Sequence, residues 1–102
     1  MPISARKMDS ILVNVLGFYR KGRKHRVYVL EIGGREVART LISHGTRELS
    51  DRMLAVMARQ MGITSRQLRA IVRGEIGKEG YYQLLREKGW LDQTKQGEPS
   101  EP

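Results

Sequence analysis

Seven consecutive residues, Arg20-Lys21-Gly22-Arg23-Lys24-His25-Arg26, put five cations and one titratable imidazole into one short stretch. Guanidinium and ammonium groups neutralise phosphate oxygens, and an imidazole exchanges protons near neutral pH. Handling a phosphodiester backbone calls for these side-chain types. Arg20, Lys21, Arg23, Lys24 and Arg26 are therefore candidate nucleic-acid contacts, and Arg39, on a predicted strand further on, extends the same basic surface. The competing reading is a solvated basic loop ahead of a hairpin, with no ligand at all.

The whole chain points the same way. Its 102 residues carry 19 Lys plus Arg against 11 Asp plus Glu, a net charge of +8 and a pI near 10.3. A surplus of that size attracts polyanions and speeds encounter with them. Nucleic acid leads the partner classes, ahead of an acidic protein or an anionic membrane surface. There are no cysteines, which excludes disulfides, thiolate zinc sites and cysteine nucleophiles. The two histidines, His25 and His44, share no metal-ligand spacing, so no structural metal and no cofactor are expected, although carboxylates could hold a Mg²⁺ loosely. No apolar run approaches the roughly 20 residues that span a bilayer, and the first seven residues lack the apolar region of a secretory signal. A cytoplasmic protein is expected, with its oligomeric state left open.

The length suits one domain, expected over residues 1–91, with a flexible polar tail over 92–102. Residues 1–7 read as a basic arm. Met8, Ile11, Leu12, Val15 and Leu16 recur at helical spacing and predict a helix over 8–16, started near Asp9 and Ser10 and stopped by Gly17. The alternation of Ile11, Val13 and Val15 is the rival strand pattern. Phe18 is expected in the core. A hairpin over 26–43 turns at Gly33-Gly34, where positive φ is needed, and its first strand is apolar on both faces, as in a central strand. The expected fold is α+β, a small antiparallel sheet of two or three strands packed against helices.

After a loop at Ser43-His44-Gly45-Thr46, Ser50 caps a helix whose stripe is Met53, Leu54, Met57, Ala58 and Met61, ended by Gly62. Thr64 and Gln67 form a capping box on the next helix, closed near Gly74, and a last helix is expected over 78–88. Tyr82 and Leu85 should share one side of it, with Tyr81, Leu84 and Trp90 on another. The pair around Gly62 also fits a helix-turn-helix. Ser65, Arg66, Gln67 and Arg69 would then face a major groove, where Arg reads guanine and Gln reads adenine. Any two packed helices joined through a glycine cap and a threonine N-cap give the same string.

The basic stretch Lys21 to Tyr28, the hairpin through Gly33-Gly34 and the following His44-Gly45-Thr46-Arg47-Glu48-Leu49 resemble the HicA toxin family, over roughly residues 8–72. Those proteins are small mRNA interferases with a double-stranded-RNA-binding-like fold. The resemblance implies a helix, a three-stranded antiparallel sheet and a second helix, with mRNA as substrate and an acidic antitoxin as partner. His25 falls where the family has its catalytic histidine, and Gly22 matches its glycine with one residue inserted. Arg23-Lys24 stands in place of a serine, and Arg26 in place of a second histidine. The implied chemistry is metal-independent: His25 accepts the proton of a ribose 2′-hydroxyl, and Lys21, Arg23, Lys24 and Arg26 hold the phosphate.

Overall fold

The computed structural model describes residues 3–22, 26–43 and 45–91. Arg23, Lys24, His25 and His44, and the tail expected over 92–102, lie outside the described residues. The fold is α+β: four helices, a three-stranded antiparallel sheet and a two-stranded ribbon among the described residues.

Residues 3–7 are not a loose arm. Ile3–Ser4 forms strand β1, and helix α1 follows at Ala5–Ser10. Ser4 is the N-cap, its hydroxyl accepting from the Lys7 N–H, so the start lies upstream of Asp9 and Ser10. The helix runs on as a π-helical turn over Ile11–Val15, with the Leu16 N–H donating to the Ile11 carbonyl at 3.0 Å. Residues 8–15 are thus helical, and the alternation of Ile11, Val13 and Val15 loses to a buried stripe of Met8, Ile11, Leu12 and Leu16, although Val15, expected in that stripe, is exposed. Burying an uninterrupted stripe outweighs the modest strand preference of β-branched residues. Phe18 closes the segment inside the core.

The sheet has the order β2-β3-β4, from Tyr19–Lys21, Arg26–Ile32 and Arg35–Ile42. The hairpin turns through Gly33 and Gly34 at φ 62° and 80°, and β3 is central in the sheet. Directly opposed residues share a face. Arg20, Tyr28 and Thr40 therefore project to the helix-covered side, and Tyr19, Val29 and Arg39 to the outer side. The register shifts after Leu30, so Val37 is an extra residue and Glu31 opposes Glu36.

Strand β5, Glu48–Leu49, pairs with β1 through Ile3↔Leu49 and Ser4↔Glu48, and the Ala5 N–H donates to the Arg47 carbonyl at 2.7 Å. Helix α2, Asp51–Met61, is capped by Ser50 and packs on β4, where buried Thr40 donates to Gln60 at 2.7 Å. Leu54, Met57, Ala58 and Met61 are its buried stripe, with Met53 half-buried. Gly62 stops α2 at φ 82°. A side chain there would also meet Trp90 at 2.8 Å, so both backbone and packing require glycine. Helix α3, Ser65–Val72, opens on the Thr64–Gln67 capping box, and α4 spans Lys78–Lys88. On α4 the core pair is Tyr81 and Leu85, four residues apart. Tyr82 is only half-buried, which corrects its expected pairing with Leu85. The Tyr81 hydroxyl donates to the Met61 carbonyl at 2.9 Å, and burial pushes its phenol pKa up.

Candidate nucleic-acid interface

The alternation of side chains along the strands divides the predicted basic set. Lys21 opposes Val27 and Leu41 on the outer face, and Arg39 opposes Val29 there. Arg39 is engaged bidentately by Glu36 at 2.9 and 3.0 Å. Beside them the Tyr19 hydroxyl donates to Glu31 at 3.0 Å. The Arg39 guanidinium, helped by Lys21, holds the Glu36 carboxyl below its ordinary range, and hydrogen bonding to Glu31 raises the Tyr19 phenol. On this face two cations meet two carboxylates.

Arg20 and Arg26 project to the other side. They line a cleft of about 740 Å³, together with Arg6, Arg47, Asp9, Ser4 and Thr46. Three parts of the chain build it. Ser4 to Asp9 come from β1 and α1, Arg20 and Arg26 from adjacent strands of the sheet, and Thr46 and Arg47 from the approach to β5. The β1–β5 ribbon sets the distance between Arg6 and Arg47, because its ladder and the Ala5–Arg47 hydrogen bond fix both backbones. The sheet register sets Arg20, opposite Tyr28. Among the described residues, four guanidiniums thus face one carboxylate.

That carboxylate is held firmly. Asp9 Oδ2 accepts from the Tyr28 hydroxyl at 2.5 Å and from Arg20 at 3.1 Å. Tyr28 is fully buried, and its phenol is pushed up to about 12, first by burial and then by the hydrogen bond to Asp9, with Arg26 beside the hydroxyl acting in the opposite sense. Tyr28 therefore remains a proton donor to Asp9 at any physiological pH. Arg6, Arg26 and Arg47 form no ion pair among the described residues. Guanidinium forks match phosphate oxygens bidentately, so the arrangement suits a phosphate chain passing through the cleft.

Of the predicted contacts, the structure brings Arg20 and Arg26 together and sets Lys21 and Arg39 apart on the opposite face. Arg23, Lys24 and His25 fall outside the described residues, between β2 and Arg26. Arg6, Arg47, Asp9 and Tyr28 are absent from the sequence-derived set. Arg47 belongs to the Arg47-Glu48-Leu49 element, but nothing in a linear reading joins it to Arg6.

Two of the four residues of the base-reading alternative are already engaged. Gln67 accepts from the Thr64 N–H at 2.9 Å in the capping box, and Arg69 donates to Asp51 at 2.7 Å. Ser65 is half-buried and Arg66 exposed on α3. Reading bases with Gln67 or Arg69 would first require breaking those contacts. Among the described residues no group of three or more His, Asp or Glu side chains is arranged to hold a metal ion, and no helix is long and apolar enough to cross a membrane. Comparison with family models, curated proteins and solved structures finds no match to the chain.

Proposed function

We propose that the protein binds RNA by its phosphate backbone, seated in the cleft between Arg6, Arg20, Arg26 and Arg47. The convergence of four guanidiniums from three chain segments onto one cleft carries this reading. A high pI alone would be met by cations scattered over the surface or, as on the outer face, neutralised locally. The succession of helix, three antiparallel strands and helix supports it further, since the resemblance to HicA toxins implies that order.

On the same reading the protein is an mRNA interferase. His25, which precedes Arg26 in the chain, takes the proton of a 2′-hydroxyl, and that oxygen attacks the neighbouring phosphorus. A cyclic phosphate forms as the bond to the 5′-oxygen breaks, and the leaving oxygen gains a proton from solvent. The cleft arginines offset the charge gathering on the phosphoryl oxygens. An acidic antitoxin would silence the protein by covering the cleft.

Incubating the purified protein with single-stranded RNA, beside His25→Ala, tests both levels. Cleavage by wild type and binding without cleavage by His25→Ala are expected. Equal binding without cleavage by both proteins would remove the enzyme and keep the RNA-binding protein. No RNA binding, with selective binding of duplex DNA lost in Arg66→Ala, would transfer the function to α3.

A further inference from the structure

Among the described residues, Asp9 is the one carboxylate in the wall of an otherwise basic cleft. For a bare phosphate it is a liability, because it repels the ligand and occupies part of Arg20. Its geometry is also asymmetric. Tyr28 and Arg20 both donate to Oδ2, and among the described residues nothing donates to Oδ1. The side chain keeps 19% exposure. Its two donors are directly opposed on neighbouring strands, so the carboxylate is fixed before any ligand arrives. The cleft therefore offers phosphate-binding forks and, among them, a rigid acceptor with an oxygen to spare.

A ligand that suits both features carries a hydroxyl donor close beside its phosphate. In nucleic acids that is the ribose 2′-hydroxyl, which neighbours the 3′-phosphate and is missing from DNA. Donors on base edges lie farther from the backbone. We infer that Asp9 Oδ1 accepts the 2′-hydroxyl of a nucleotide seated in the arginine cleft beside the one whose 2′-hydroxyl meets His25, making Asp9 the residue that separates RNA from DNA. The inference rests on the RNA-binding reading above.

The test compares short single strands of one sequence as RNA, as DNA and as 2′-fluoro RNA, which keeps the ribose pucker but cannot donate. Binding is followed by fluorescence anisotropy with His25→Ala protein, so that the RNA stays intact, and with a second protein that carries Asp9→Asn as well. The substituted amide would turn its carbonyl toward Tyr28 and Arg20 and set an N–H₂ group where Oδ1 stood.

With Asp9 present, RNA should bind about tenfold more tightly than DNA, the size of one hydrogen bond to a charged group. The 2′-fluoro strand should behave as DNA. In Asp9→Asn the gap should shrink below about twofold, while DNA binds more tightly because a repelling charge is gone. A 2′-fluoro strand that binds as well as RNA would overturn the inference without any substitution at Asp9. So would a tenfold gap that survives Asp9→Asn. Equal binding of RNA and DNA with Asp9 in place would overturn it too, yet leave the cleft a polyanion site. Failure of every strand to bind would instead defeat the RNA-binding reading itself.

Discussion

Two tyrosine–carboxylate pairs sit on opposite sides of one sheet, and they differ in almost everything but chemistry. Tyr19 donates to Glu31 on the outer face and is 42% exposed, whereas Tyr28 donates to Asp9 and is fully buried. Around the first pair Lys21 and Arg39 meet Glu31 and Glu36, and the charges cancel locally. Around the second, Arg6, Arg20, Arg26 and Arg47 face Asp9 as the one carboxylate among the described residues. The lesson is that a count of cations says little about where a polyanion binds. Strand register decides which cations converge, and local ion pairing decides which remain available.

The largest expected effect comes from reversing the cleft. Arg6→Glu with Arg47→Glu, at two positions off the buried core, should weaken RNA binding about a hundredfold at low salt, by turning two attractions into repulsions. Titration of labelled RNA measures this, with circular dichroism confirming the fold. Next come the two tyrosines. Tyr28→Phe leaves a partly buried carboxylate short of a donor and should cost about 1–2 kcal/mol in urea unfolding. Tyr19→Phe, on the solvated face, should leave the urea midpoint nearly unchanged. Equal costs would erase the distinction between the faces.

The alkaline limit sharpens the same contrast. The folded Tyr28 phenol is raised to about 12, against about 10 for an ordinary tyrosine, so the folded state binds its proton more tightly than the unfolded chain. That stabilisation is complete below about pH 10 and is lost as pH rises toward about 12. Burial raises Tyr81 in the same sense. Urea midpoints followed upward from neutral pH should therefore fall across this window, and Tyr28→Phe should make the fall shallower. The smallest effect is reserved for the outer face, where Lys21→Ala with Arg39→Ala should change RNA affinity by less than about twofold.

Much of the fold is legible in the chain because it follows local rules. The Ser50 cap, the Thr64–Gln67 box, the glycine hairpin and the stop at Gly62 each need only a few neighbouring residues to specify them. The helix over residues 8–15 is legible from apolar spacing, but its start is not, since Ser4 caps it only once β1 is held by β5. The ribbon joins two-residue segments far apart in sequence, too short to carry a periodic signal. For that reason Arg6 and Arg47 escape a linear reading, while Arg20 and Arg26 are found through simple density of charge. Arg39 shows the converse. Alternation assigns it a face, but only the bulge after Leu30 brings Glu36 opposite Glu31 and within reach of the Arg39 guanidinium.

The most direct measurement is the salt dependence of RNA binding in three proteins: wild type, Arg6→Ala with Arg47→Ala, and Lys21→Ala with Arg39→Ala. Each phosphate contact on a single strand contributes about 0.7 to the slope of log affinity against log salt. Loss of the cleft pair should lower the slope by about 1.4, twice that increment, and loss of the outer pair should leave it unchanged. An unchanged slope in the cleft variant, or a larger drop in the outer-face variant, would contradict the placement of the phosphate backbone in the arginine cleft.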